Sequence, residues 1–238
     1  MALILSLETA TEVCAVALSD GPQLLGELRI HQPQRHASLL TQLVGQLTAD
    51  LQLPLQQLQA VACCAGPGSY TGLRIGVSAA KGYCLALGIP LIAVDSLLSV
   101  AAPLQPLALQ LGACLLPMLD ARRMEVYMAA YAADLSVLYP PAAVVVDEAV
   151  PHTLPPGPRL YCGDGLAKCQ HLLQRPGDLY FPQQLSSAAG MAQLAWQHWQ
   201  ARQFVPLHSY SPNYLKPVRL TQPAGGQQPT SPAEENKD

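Results

Sequence analysis

Gly66-Pro67-Gly68-Ser69-Tyr70-Thr71-Gly72-Leu73-Arg74-Ile75-Gly76 joins a short apolar run, Ala60 to Ala65, to a helical pattern that continues to Leu87. A strand that enters a helix through a glycine-rich turn marks an α/β layer. The glycines permit positive φ and close approach of another backbone. The unpaired N–H groups at the start of the helix favour an anion. Two readings stand: a phosphate or carboxylate loop, or a tight strand–helix turn capped by Ser69 or Thr71. The spacing removes three familiar signatures. No Gly-Lys-Ser/Thr is present, so this is not a Walker A loop. Thr71 stands where GxGxxG needs its third glycine. Ser69 lies outside GxSxG, so a hydrolase elbow is not supported.

The helix that follows holds Gly72, Gly76 and Gly82. Each costs roughly 1 kcal/mol relative to Ala inside a helix. Helical spacing puts Gly72, Gly76, Ala79, Ala80 and Tyr83 on one face, thin enough for another helix to approach closely. That stripe packs either on this chain's own sheet and the 36–51 helix, or on a partner. The sharper expectation is docking, with two helices of this chain meeting two of another.

Outward from this segment the order is regular. Residues 2–7, 13–18 and 23–30 read as three strands joined by tight turns, an antiparallel meander. From His36 to Leu51, Leu39, Leu40, Leu43, Val44 and Leu47 form one apolar stripe at helical spacing. Leu91 to Val94 returns as a strand. Beyond residue 101, strands are expected at 114–119, 124–132, 142–146 and 160–162, and a helix at 187–203. The second half therefore repeats the first in architecture. After Lys216 the composition is that of a disordered tail.

The chain has 238 residues, a net charge of −3 and 12% charged residues, with mean hydropathy +0.20. Such apolar content excludes a wholly disordered chain. Thirteen Lys and Arg are too few to grip a polyanion unaided. Ser96 to Leu119 carries no charge, but Pro103, Pro106 and Pro117 interrupt it, so a buried helix, loop and strand is expected rather than a membrane span. Seven cysteines without a framework, Cys14, Cys63, Cys64, Cys84, Cys114, Cys162 and Cys169, fit a reduced chain better than a disulfide scaffold. No CxxC pair or Ser/His/Asp spacing is present, and no catalytic or metal-ligating residue is assigned. Pro33 keeps His31 and His36 off a common helix face, and His36 is read as a cap or surface residue. Glu8-Thr9-Ala10-Thr11 is either an acid and hydroxyl donors for a magnesium-bridged phosphate, or a polar turn.

GPGSYTGLRIGVSAAKG at 66–82, the Glu8 turn, His36 before its helix, Val94-Asp95-Ser96, Asp120 to Tyr127 and Pro212 to Lys216 together resemble the TsaB (YeaZ) family over about residues 1–216. That resemblance implies an actin/hexokinase-like (ASKHA) fold, α/β, with two related lobes and mixed sheets at about 1–100 and 101–216. It implies a cytoplasmic, non-catalytic subunit that pairs with and activates a TsaD-like catalytic subunit. A TsaE-like ATPase joins through that pair, and tRNA is reached only through the complex. Alone, the same surface makes a homodimer. The expected partner interface is Leu39, Leu43, Leu47, Gly72, Leu73, Ile75, Gly76, Ala79, Ala80 and Tyr83. Residues expected near a nucleotide, ATP or ADP with magnesium, are Glu8, Thr9, Thr11, Gly66, Gly68, Ser69, Tyr70, Thr71 and Arg74. Glu8 stands where the family usually carries Asp, and Lys216 where it carries Arg. The alternative from the same fold is an ATP-using phosphotransferase or ATPase.

Overall fold

The meander forms as β1 (Leu3–Glu8), β2 (Val13–Asp20) and β3 (Gln23–His31), paired antiparallel. The computed structural model describes residues 1–216; the segment read as a tail, 217–238, lies outside the described residues. Helix α1 (His36–Asp50) leads to β4 (Ala60–Cys64), which pairs parallel with β1. Helix α2 (Tyr70–Leu87) then leads to β5 (Leu91–Val94), parallel to β4. The sheet order is β3-β2-β1-β4-β5.

The uncharged stretch after Asp95 resolves into α3 (Ser96–Ala101), α4 (Gln105–Leu111) and most of β6 (Cys114–Asp120). No helix among the described residues is long and apolar enough to cross a membrane. A second meander follows with β7 (Glu125–Tyr131) and β8 (Val137–Val145). After the short α5 (Val150–Thr153) come β9 (Arg159–Cys162), α6 (Leu166–Leu173), β10 (Leu179–Phe181) and α7 (Ala188–Gln200). The second sheet reads β8-β7-β6-β9-β10, the same topology as the first.

Every residue of β4 is buried, so both faces of the first sheet need cover. On one face Leu40, Leu43, Val44 and Leu47 of α1 and Val77, Ala80 and Cys84 of α2 pack against Leu5, Leu7, Val16 and Cys63. The other face is covered from far along the chain: Met191, Leu194 and Ala195 of α7 pack on Ile4, Ala60, Ala62 and Ile92. A boundary near residue 100 thus separates the two sheets, but α7 lies on the first one. Ser187 caps α7, and Glu27 of β3 accepts from Ser187 Oγ at 2.6 Å and Ala189 N at 3.0 Å. All seven cysteines are free and buried.

His36 is neither exposed nor a cap. Its ring is buried and its Nε2 lies 3.1 Å from the Val13 carbonyl, tying the start of α1 to β2.

Candidate functional site

The turn before α2 is built around its own chain. Gly66 has φ +91°, and Asn213 O lies 2.5 Å from where a Cβ would sit. At Gly68 that space holds Ala10 O, also at 2.5 Å. A Cβ on Gly72 would collide with Thr9 O, and one on Gly76 with Thr9 Oγ1. Ser69 N donates to Ala10 O at 2.7 Å, and Ser69 Oγ caps α2 by accepting from Gly72 N at 3.3 Å. Of the two sequence readings, the tight capped turn is the one formed. Main-chain oxygens of Thr9 and Ala10 fill the space that side chains on Gly72 and Gly68 would take.

Glu8 is fully buried. Its Oε1 accepts from Ala10 N at 2.7 Å, while Oε2 has no partner among the described residues. Burial pushes its pKa up to about 7, and the nearby carboxylates of Asp164 and Glu27 push the same way. Thr9 is buried with Oγ1 unpartnered, and Thr11 Oγ1 meets Ser186 Oγ at 2.5 Å. Within the second lobe, Asp164 Oδ1 accepts from Asp120 N at 3.0 Å, and burial, Asp120 and Glu12 of the first lobe raise its pKa. Glu8 is sealed from solvent inside the first lobe, so its carboxyl offers no exposed oxygen to a magnesium ion. No group of three or more His, Cys, Asp or Glu among the described residues is placed to hold a metal.

The interface residues divide. Leu43, Leu47, Gly72, Leu73, Gly76 and Ala80 are buried inside the chain, which corrects their assignment to a docking surface. The apolar stripe of each helix faces its own sheet, and the glycines admit the β1–β2 turn. Leu39, Ile75, Ala79 and Tyr83 sit at the margin, half-buried against the same core. The thin outer surface is a different set. Ala37, Thr41 and Gly45 of α1 and Thr71, Ser78 and Gly82 of α2 are exposed, and a Cβ on Gly45 or Gly82 would meet nothing within 4 Å. Between the helices lies an open depression of about 480 Å³, lined by Ala37, Tyr70, Thr71, Arg74, Ile75 and Ser78.

Tyr70 and Arg74 are organised before any contact. Arg74 Nη1 donates to Tyr70 Oη at 2.9 Å, and the guanidinium carbon lies 5.4 Å from that ring's centre. Tyr70 also packs on Tyr214, with ring centres 4.9 Å apart. Tyr214 belongs to a strap that returns to the first lobe: Asn213 N donates to Ala65 O at 2.7 Å and Lys81 Nζ to Tyr210 O at 2.8 Å. Lys216, two residues on, pairs with Glu125 and donates to Ala121 O at 3.3 Å in the second lobe. Asp95 caps α3 through Leu98 N at 2.9 Å and accepts from Tyr131 Oη at 3.2 Å. Sequence reasoning missed the strap as a support for Tyr70. Aromatic residues after the last helix were its only signal.

Two lobes of one sheet topology define the actin/hexokinase-like class. An inorganic polyphosphate/ATP-glucomannokinase from Arthrobacter sp. strain KM shares this fold, with a TM-score of 0.52 at 12% identity over 83% of this chain and all of that one. YeaZ from Pseudomonas aeruginosa matches with a TM-score of 0.77 at 28% identity, covering 90% of this chain and 100% of the other. The tRNA threonylcarbamoyladenosine biosynthesis protein TsaB of Escherichia coli K12 is 30% identical over 225 residues, which is 90% of this chain and 94% of that protein. The family model for TsaD, tRNA N6-adenosine threonylcarbamoyltransferase, matches residues 11–204. The chain belongs to the TsaB (YeaZ) family.

Proposed function

We propose that this chain acts in the synthesis of threonylcarbamoyladenosine on tRNA, as an accessory subunit that docks onto and activates a TsaD-like catalytic subunit. The observation that carries the reading is the outer face of α1 and α2: several small residues beside an exposed Leu85, no covering segment among the described residues, and a pre-packed Tyr70–Arg74 pair beside a depression. Tyr and Arg are the residues that most often dominate binding energy at interfaces. Transfer chemistry is left to the partner, as is contact with tRNA, since this chain has more acids than bases. A TsaE-like ATPase joins through the pair, in the cytoplasm, and the same face serves a homodimer when the chain is alone.

The test is reconstitution at fixed catalytic subunit, ATPase and threonylcarbamoyl-adenylate supply. Modification of tRNA is expected to rise sharply when this chain is added and to stay flat when it is omitted. Equal rates in both arms would reject the accessory role. The alternative, an ATP-using phosphotransferase, gains nothing from the sealed Glu8 turn; tight MgATP binding with turnover by the isolated chain would revive it.

A further inference from the structure

The outer face has an unbalanced charge. Across α1 and α2 the charged residues are Asp50, Arg74 and Lys81, and Arg35 precedes α1. Lys81 is held by Tyr210 O, and Asp50 closes the end of α1 remote from Ala37 and the depression. The guanidinium of Arg74 is exposed and meets no carboxylate among the described residues, and neither does Arg35. The face is therefore cationic on a chain whose net charge is −3. A two-fold contact sets one patch against a copy of itself. A second copy brings more arginine and, as its only acid on these helices, Asp50.

Building on the docking reading above, we infer that the depression is shaped for a foreign partner: the docking helix of the catalytic subunit places a carboxylate beside Arg74. Tyr70, steadied by Tyr214, holds the guanidinium in place, so little side-chain freedom is lost on binding. The surrounding Ala37, Thr71, Ile75 and Ser78 offer no competing charge. Complementarity of this kind favours the hetero-pair over the homodimer and speeds encounter.

The experiment compares wild-type chain with Arg74→Glu and Arg74→Lys. Affinity for the TsaD-family subunit of the same organism is measured at about 0.05 and about 0.5 M salt. Self-association is followed by sedimentation velocity, and melting curves check folding. Arg74→Glu is expected to weaken the hetero-complex roughly 30-fold at low salt and to remove its salt dependence. Self-association should hold or tighten, and Arg74→Lys should retain much of the affinity. Unchanged hetero-affinity in Arg74→Glu, or an equal loss in self-association, would overturn the inference while leaving the docking reading intact. Failure of the wild type to bind the catalytic subunit would overturn that reading, and the inference with it. If Arg74→Glu instead lost tRNA binding by the isolated chain, with partner affinity intact, the surface would be one for nucleic acid and the inference would be wrong.

Discussion

Helices α2 and α6 occupy equivalent places in the two lobes, each following the fourth strand of its meander-plus-two sheet. Their entry turns work alike. Gly68 makes room for Ala10 O beyond β1, and Gly163, with φ +100°, makes room for Met118 O in β6. Glycine before the helix is thus an internal device in both lobes, one that lets the first turn close down. The helices themselves differ. α2 runs 18 residues and presents an uncovered outer face on which Thr71, Ser78 and Gly82 lie among the exposed Tyr70, Arg74 and Leu85; α6 runs 8 residues and uses Lys168 to pair with Asp120 at 2.5 Å. What marks the first lobe as the docking lobe is the outer side of its helix, and the glycines on the inner side say nothing about it.

The largest expected effect tests the close main-chain approaches in the two lobes. Gly72→Ala drives a Cβ into Thr9 O, and Gly163→Ala drives one into Met118 O in a strained backbone. Each should cost about 4 kcal/mol in denaturant unfolding, since backbone cannot move aside as a side chain can. A cost below about 1 kcal/mol at either site would break the parallel between the lobes.

Next comes Glu8, buried at the end of β1, against Asp120, exposed at the end of β6. A carboxyl with pKa about 7 in the folded state, against an ordinary 4.5, binds its proton more tightly when folded. Its stabilising effect is complete below pH 4.5 and is lost as pH rises through 7, a fall of roughly 3 kcal/mol. Glu8→Gln should flatten that window and leave the protein more stable than wild type at pH 8. A wild-type stability curve that rises between pH 5 and 7 would contradict the buried, neutral acid.

Gly82→Ala should have the opposite sign to Gly72→Ala on the same helix. Its Cβ meets nothing within 4 Å, so the gain is helix propensity alone, about 1 kcal/mol. Lys216→Ala is the smallest change. The Lys216–Glu125 pair is partly exposed, and its loss should cost about 0.5 kcal/mol.

Much of this was legible in the residues. Short apolar runs and turn residues marked the first meander, and Leu39 to Leu47 marked α1; in the second meander β8 starts at Val137, five residues before the strand expected at 142–146, because its first half is exposed. The segment at 66–82 carried the family. Three features were not legible, each for a physical reason. Periodicity shows that Gly72, Gly76 and Ala80 share a face but not what that face meets, and it met the chain's own β1–β2 turn. α6 and β10 are short, and Gly163-Asp164-Gly165 reads as a plain turn. The seating of α7 on the first sheet and the support of Tyr70 by Tyr214 are contacts between distant segments, which local pattern does not encode.

The outer face of α2 as docking surface is tested most directly by Gly82→Trp, which adds bulk where the fold has open space. Titration against the TsaD-family subunit, with melting curves as control, should show an unchanged fold and binding weakened by roughly 30-fold or more. Wild-type affinity in the folded Gly82→Trp chain would contradict the account.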